Sequence, residues 1–128
     1  MNRFMESLRD VERKVDHLLK AQRIVIFGAS SGGLQALEML NNLNKSPSFF
    51  TDNDQGKWEK YVNGIRVVPP TELKVIDPDV IVIGSRNYED EMMEQLSSYG
   101  LRDRAYSLDF LELLLMGKFL SRLFEKLR

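Results

Sequence analysis

Two uninterrupted runs of apolar residues mark the interior of the sequence. Residues 24–27 (Ile-Val-Ile-Phe) and 80–83 (Val-Ile-Val-Ile) show no alternation with polar residues. Such runs are typical of the central strands of a parallel sheet, whose two faces are both covered. Shorter apolar stretches predict three further strands, at residues 48–52, 65–68 and 104–108.

Helical spacing of apolar residues follows the first and the fourth of these strands. It predicts one helix over residues 33–43 and another over 89–99, with Gly100 as a left-handed stop. Strands that alternate with helices in this way predict an α/β fold. We expect a three-layer, doubly wound parallel sheet of about five strands in the order 3-2-1-4-5, with an extra amphipathic helix at each terminus.

The amino-terminal helix is predicted over residues 2–21, before the first strand. Apolar residues recur there at alternating steps of three and four, separated by charged residues. They are Met1, Phe4, Leu8, Val11, Val15 and Leu18. Because a Rossmann-type sheet does not need this helix, it either pairs with a second copy of the chain or folds back on its own domain.

The carboxy-terminal helix carries a second apolar stripe. Its predicted start has Asp109 and Glu112 at capping-box spacing. The stripe consists of Leu113, Met116, Leu120, Leu123 and Leu127. Basic residues lie along the polar side, at Lys118, Arg122, Lys126 and Arg128. The stripe would be covered by the first helix, by another subunit or by a membrane surface, and the net charge of −1 favours protein over membrane.

The turn after the first strand carries the clearest chemical signal. Gly28-Ala29-Ser30-Ser31-Gly32-Gly33 joins a buried strand to a helix, as at the start of a dinucleotide-binding βαβ unit. The free N–H groups at such a helix start bind phosphate. The usual spacing is G-x-G-x-x-G, and Ser30 stands where a glycine lets the backbone approach the pyrophosphate. A ligand-binding turn and a purely structural turn both fit this sequence.

Polar residues after two other strands are expected at the same edge of the sheet. Asp52 lies where an acidic residue accepts from ribose hydroxyls, although the polar residues around it also suit a plain turn. Ser85 and Arg86 follow a strand that is expected beside the first one. The candidate cofactor-binding residues are Gly28, Ala29, Ser30, Ser31, Gly32, Gly33, Asp52, Asn53, Gly84, Ser85 and Arg86.

Composition excludes several classes of function. The 128 residues suit one domain, and the net charge of −1 provides no basic field for nucleic acid. There is no cysteine and one histidine, His17, so we assign no catalytic residue and no metal ligand. Without cysteine or an apolar run of transmembrane length, the chain is expected in the cytoplasm.

Four segments together resemble a known kind of domain. Residues 24–33, 50–58, 64–73 and 79–85 resemble the small Rossmann domains of bacterial surface-polysaccharide pathways, of the nucleoside-diphosphate-sugar epimerase-like type. Their layout is also similar to that of CoA-binding and NAD(H)-sensing Rossmann domains. The resemblance implies a nucleotide ligand, with NAD(H) the first expectation and CoA or a UDP-sugar the alternatives.

The resemblance covers residues 23–108, so the predicted organisation is a helix (1–22), a nucleotide-binding domain (23–108) and a helix (109–128). Short-chain dehydrogenases and extended epimerases use a Tyr-x-x-x-Lys pair, and none of the four tyrosines has a lysine four residues on. The first hypothesis is therefore an accessory nucleotide-binding domain of sugar-nucleotide or polysaccharide metabolism, forming a homodimer through its terminal helices. The alternatives are a ligand-free dimerising interaction domain and an NAD-dependent epimerase- or dehydratase-like enzyme.

Overall fold

The computed structural model describes residues 2–127. The helices are α1 (Arg3–Lys20), α2 (Ser31–Asn42), α3 (Leu73–Ile76), α4 (Glu89–Ser98) and α5 (Leu108–Lys126). The strands are β1 (Ile24–Phe27), β2 (Phe49–Thr51), β3 (Tyr61–Val62), β4 (Ile65–Val68), β5 (Val80–Ile83) and β6 (Ala105–Tyr106). Short 3₁₀ turns span Gln55–Lys57, Pro70–Glu72 and Arg102–Arg104.

Within these residues the strands form a six-stranded sheet in the order β3-β4-β2-β1-β5-β6. β1 lies in the middle and runs parallel to both neighbours, with Val25 opposite Phe49 in β2 and Ile81 in β5. β4 and β6 continue the parallel arrangement outward, and β3 pairs antiparallel with β4. The carboxyl ends of the five parallel strands, β1, β2, β4, β5 and β6, therefore lie at the same edge of the sheet.

The α/β class is confirmed, and the observed sheet differs from the predicted order 3-2-1-4-5 by one additional strand. β3 adds an antiparallel edge strand, so the sheet is mostly rather than wholly parallel. Asn63 and Gly64 link β3 to β4, and both have positive φ, 50° and 79°. This is the two-residue Asn-Gly turn that favours a β-hairpin. No strand was predicted at residues 61–62, where the structure has β3.

The sheet separates two hydrophobic clusters, because alternate residues of a strand point to opposite faces. One cluster contains Ile24 and Ile26 of β1 together with side chains of α1, α2 and α5. The other contains Val25 and Phe27 together with side chains of α3 and α4. The resulting helix-sheet-helix arrangement buries all four β1 side chains.

The second half of α1 packs on the domain. Leu18 is fully buried, the Tyr106 hydroxyl donates to the carbonyl of Lys14 (2.8 Å), and Nε2 of His17 donates to the carbonyl of Asp79 (2.7 Å). The first half, which includes Phe4 and Leu8, is exposed. Met1, the first residue of the predicted stripe, lies outside the described residues.

α5 begins differently from the predicted capping box. Ser107 is its N-cap, and the Ser107 hydroxyl accepts from the N–H of Phe110 (3.1 Å). Asp109 therefore lies inside the first turn, and both Asp109 and Glu112 bond to Arg86 instead of capping the helix. Only Leu108 and Leu111 of α5 are buried, and Arg128, at the end of its basic side, lies outside the described residues.

Among residues 2–127, none of the helices is both long enough and apolar enough to span a membrane.

Candidate functional site

The turn between β1 and α2 is built on close backbone contacts. Gly28 has a φ of 109°, which favours glycine, and its N–H donates to the carbonyl of Thr51 (2.7 Å). A Cβ on Gly33 would lie 1.9 Å from the Gly28 carbonyl oxygen, and one on Gly32 would lie 2.2 Å from that of Gly84. The start of α2 is thus pressed against the ends of β1 and β5, and its glycines have a structural reason to be there.

The start of α2 offers backbone donors to a ligand. Ser30 is the N-cap with an extended backbone, and its side chain forms no capping hydrogen bond. The first intrahelical bond runs from the N–H of Leu34 to the carbonyl of Ser30 (3.0 Å). As expected at a helix start, the N–H groups of Ser31 and Gly32 have no acceptor within residues 2–127. These donors and the positive end of the helix dipole favour an anion.

Asp52, directly after β2, holds two turns together. One carboxylate oxygen accepts from the N–H of Ala29 (2.8 Å), and the other accepts from the N–H of Asp54 (2.8 Å). Its carbonyl accepts from Nε1 of Trp58 (2.7 Å). The structural interpretation of this acid is therefore observed directly. Each carboxylate oxygen keeps lone-pair capacity for a further donor, so the ribose interpretation stays a prediction.

Lys57 was not among the candidate residues, although it lies at the mouth of the site. Its ammonium group donates to the hydroxyl of Ser30 and lies 3.6 Å from Oδ2 of Asp52. Asp54 positions it, because its side chain accepts from the N–H of Gly56 (2.9 Å) and starts the 3₁₀ turn that ends at Lys57. The Asp-x-Gly spacing was the available signal for this turn.

Arg86 is held by three side chains from two helices. Its Nε donates to Asp109 (3.0 Å), and its two terminal nitrogens donate to Gln35 (3.0 Å) and Glu112 (2.7 Å). The hydrogen bond with Asp109, followed by that with Glu112, raises the pKa of Arg86 above its usual value. The guanidinium thus bridges α2 and α5 at the rim of the site.

These elements enclose a cleft of about 810 Å³ at the carboxyl ends of β1 and β5. Of the predicted residues, its lining contains Gly28, Ser30, Ser31, Gly32, Asp52, Gly84, Ser85 and Arg86. Lys57, Gln35, Glu38 and Tyr88 also line it. The volume lies in the range of small-molecule sites, about 300–1,000 Å³.

Three predicted residues do not line this cleft. Ala29 gives its N–H to Asp52, and Gly33 is buried beneath the turn. The amide of Asn53 exchanges two hydrogen bonds, of 2.9 and 2.8 Å, with Gln95 of α4. Asn53 therefore ties the loop after β2 to α4.

A second depression, of about 640 Å³, lies between α1 and the amino ends of the strands. Its polar groups are engaged with one another, since Asp79 accepts from the N–H groups of Gln22 and Arg23 and Arg104 bonds to Asp77. These contacts join the segments that precede β1, β5 and β6. Within the described residues, no group of three or more potential metal ligands is present.

Comparison with known proteins places the chain in a family. The family described as "C2185-like, N-terminal" matches residues 20–105, about two thirds of the chain. The chain belongs to this family. The match contains the whole β1–α2 turn, Asp52 and Arg86, and it excludes nearly all of α1 and the whole of α5.

A solved structure shares the fold. The crystal structure of UDP-D-quinovosamine 4-dehydrogenase from Vibrio fischeri aligns with a TM-score of 0.54 at 23% sequence identity. The alignment covers 76% of this chain and 85% of that one. It shows that this member of the C2185-like N-terminal family has a Rossmann-like fold. The curated proteins contain no match to the sequence.

Proposed function

We propose that this chain is an accessory nucleotide-binding domain that serves sugar-nucleotide or polysaccharide metabolism. One observation carries the proposal: Ser31 and Gly32, whose N–H groups have no acceptor within residues 2–127, line a cleft that Asp52 and Lys57 also line. NAD(H) is the first expected ligand, and CoA and a UDP-sugar are the alternatives. The fold that the chain shares with a UDP-D-quinovosamine 4-dehydrogenase supports a link to sugar nucleotides.

The cleft suggests how such a ligand would lie. A pyrophosphate would accept hydrogen bonds from the N–H groups of Ser31 and Gly32, and Lys57 would turn from Ser30 toward the phosphate charge. A ribose hydroxyl would donate to the free lone pairs of Asp52. Each contact uses a group that is already at the cleft, so binding requires side-chain rotations and no rearrangement of the sheet.

An accessory role is favoured because the cleft lacks an evident acid/base pair. Tyr88 lines the cleft, but Met92 stands four residues later, where a short-chain dehydrogenase has lysine. Asp52, one of two carboxylates in the cleft lining, already accepts hydrogen bonds from two backbone N–H groups. Hydride transfer on a sugar nucleotide therefore remains the weaker proposal.

Binding is tested by calorimetry with NAD, NADH, CoA and UDP-glucose. One of them should bind, and Lys57→Gln should weaken that binding about three- to tenfold because a partly exposed cation-phosphate contact is lost. Lys74→Gln is the matched control, since Lys74 is exposed on α3 and does not line the cleft. Failure of the whole panel to bind, or equal weakening by both variants, would contradict the proposal.

A second proposed function is homodimerisation through the terminal helices. Most exposed large apolar side chains among residues 2–127 lie on α1, on α5 or at the C-cap of α5: Phe4, Met5, Leu8, Val11, Leu19, Leu113, Met116, Phe119, Leu120, Leu123, Phe124 and Leu127. A stable interface buries about 800 Å² per copy, so a dimer would have to cover a large part of this exposed apolar surface. An apolar groove of about 510 Å³ between the two helices adds to it.

Light scattering tests this second proposal. The unmodified chain should be a dimer, and Leu123→Glu should make it a monomer because a charge would enter the apolar interface. Val75→Glu, at a position 86% exposed on α3, should leave the dimer intact. An unmodified chain that is already monomeric at micromolar concentration would remove the proposal.

A further inference from the structure

We propose that Arg86 couples occupancy of the cleft to the attachment of α5: an anionic ligand draws its guanidinium away from Asp109 and Glu112. The inference rests on the proposed nucleotide binding and adds a regulatory contact to that site. It concerns a residue that lines the cleft and, at the same time, holds the first turn of a helix outside the matched family region.

The contacts of Arg86 are arranged as a clamp between elements. Gln35 belongs to α2, whose start forms the proposed phosphate site, whereas Asp109 and Glu112 belong to α5. The guanidinium side chain is 42% exposed, so it can rotate without opening the core. Its position on the loop after β5 places it at the same strand edge as the free N–H groups of α2.

The charges at the clamp are unbalanced. One guanidinium faces two carboxylates, which leaves a negative surplus at the rim of a cleft that we expect to receive an anion. A phosphate approaching the start of α2 meets this surplus unless Arg86 turns inward. Arginine is suited to exchange a carboxylate partner for a phosphate, because its guanidinium binds both with the same bidentate geometry.

Movement of Arg86 from the two carboxylates to a phosphate would weaken the attachment of α5. α5 is 19 residues long, and its buried side chains, Leu108 and Leu111, lie in its first turns. The side-chain hydrogen bonds of α5 to the rest of the described chain are those with Arg86 and the bond from Lys118 to the carbonyl of Asn42 (3.0 Å). Release of the clamp therefore loosens the first turn of the helix that carries most of the exposed apolar surface.

Calorimetry with NADH and with inorganic pyrophosphate tests the coupling in four proteins. They are the unmodified chain, Asp109→Asn/Glu112→Gln, Arg86→Gln and the triple variant. Removing both carboxylates frees Arg86 and should tighten binding about tenfold in the unmodified background. When Arg86 is already replaced by glutamine, removing the two carboxylates only relieves their repulsion of the anion. The affinity of the triple variant should therefore exceed that of Arg86→Gln about threefold or less.

Glu38→Gln serves as the control for charge alone. Glu38 lines the same cleft but has no hydrogen bond to Arg86, so its neutralisation measures repulsion without releasing the clamp. All four variants change side chains at the surface, so the fold should be retained. If Asp109→Asn/Glu112→Gln raised the affinity equally with and without Arg86, the inference would be overturned and nucleotide binding would still stand.

Hydrogen exchange supplies a second readout. Saturating NADH should increase exchange in residues 108–112 of the unmodified chain and should have a much smaller effect in the Asp109→Asn/Glu112→Gln protein, whose neutral amides bind Arg86 only weakly. Unchanged exchange in a protein that binds NADH would refute the coupling alone. If neither NADH nor pyrophosphate binds any of the proteins, the proposed function and this inference fail together.

Discussion

Replacing Gly33 with alanine should strongly destabilise the domain. The added Cβ would lie 1.9 Å from the carbonyl oxygen of Gly28 and 3.3 Å from the ring of Phe50. The nearer atom belongs to the backbone, so relief requires α2 to move away from the sheet. Overpacking of this kind costs about 1–3 kcal/mol or more, and we expect about 3 kcal/mol because a backbone atom is the obstacle.

Gly117→Ala provides the matched comparison. Gly117 lies inside α5, and a Cβ there meets no atom within 4 Å. The same substitution should therefore stabilise the chain by about 0.5–1 kcal/mol, because alanine favours a helix. Urea unfolding followed by the fluorescence of Trp58, the single tryptophan, measures both variants. Unfolding midpoints that shift equally in the two variants would refute the packing argument for the β1–α2 turn.

Two further predictions concern polar contacts of the fold. Hydrogen bonds from the N–H groups of Arg23 and Gln22 lower the pKa of Asp79 below its usual value. Asp79 therefore adds stability above the unfolded pKa of about 3.9, and that contribution is lost as the pH falls through its folded pKa. Asp79→Ala should destabilise the chain at pH 7. The difference in free energy of unfolding between this variant and the unmodified chain should shrink below about pH 4, as measured by urea titration at each pH. Thr51→Val should cost about 1 kcal/mol in the same assay, because the buried hydroxyl donates to the carbonyl of Val68 (2.7 Å); an unchanged midpoint would contradict this.

The sequence predicted the central strands because their apolar runs are continuous. Residues 24–27 and 80–83 are buried on both faces, so neither strand shows a polar alternation that could be mistaken for a helix or a surface strand. β3 was missed because two residues are too few to show a period. Its signal was the Asn63-Gly64 dipeptide, a turn preference that is independent of hydrophobic patterning.

The candidate site was predictable to the level of strand ends and no further. Parallel strands bring the residues after β1, β2 and β5 to one edge, so the glycine turn, Asp52 and the Ser85-Arg86 loop were expected near one another. Side-chain partners depend on rotamers and on distant helices. Arg86 bonds to residues 23 and 26 positions later, and Lys57 bonds to Ser30 across 27 positions.

The glycines of the β1–α2 turn cannot separate a binding turn from a structural one. Gly28 has a conformation that favours glycine, and Gly32 and Gly33 lack the room for a Cβ, so packing alone accounts for all three. Substituting them would damage the fold whether or not a ligand binds. Lys57 has no comparable structural duty, because its ammonium group contacts only Ser30 and Asp52 among the described residues. A loss of binding in Lys57→Gln, without a loss of stability, therefore distinguishes a nucleotide site from a turn that merely resembles one.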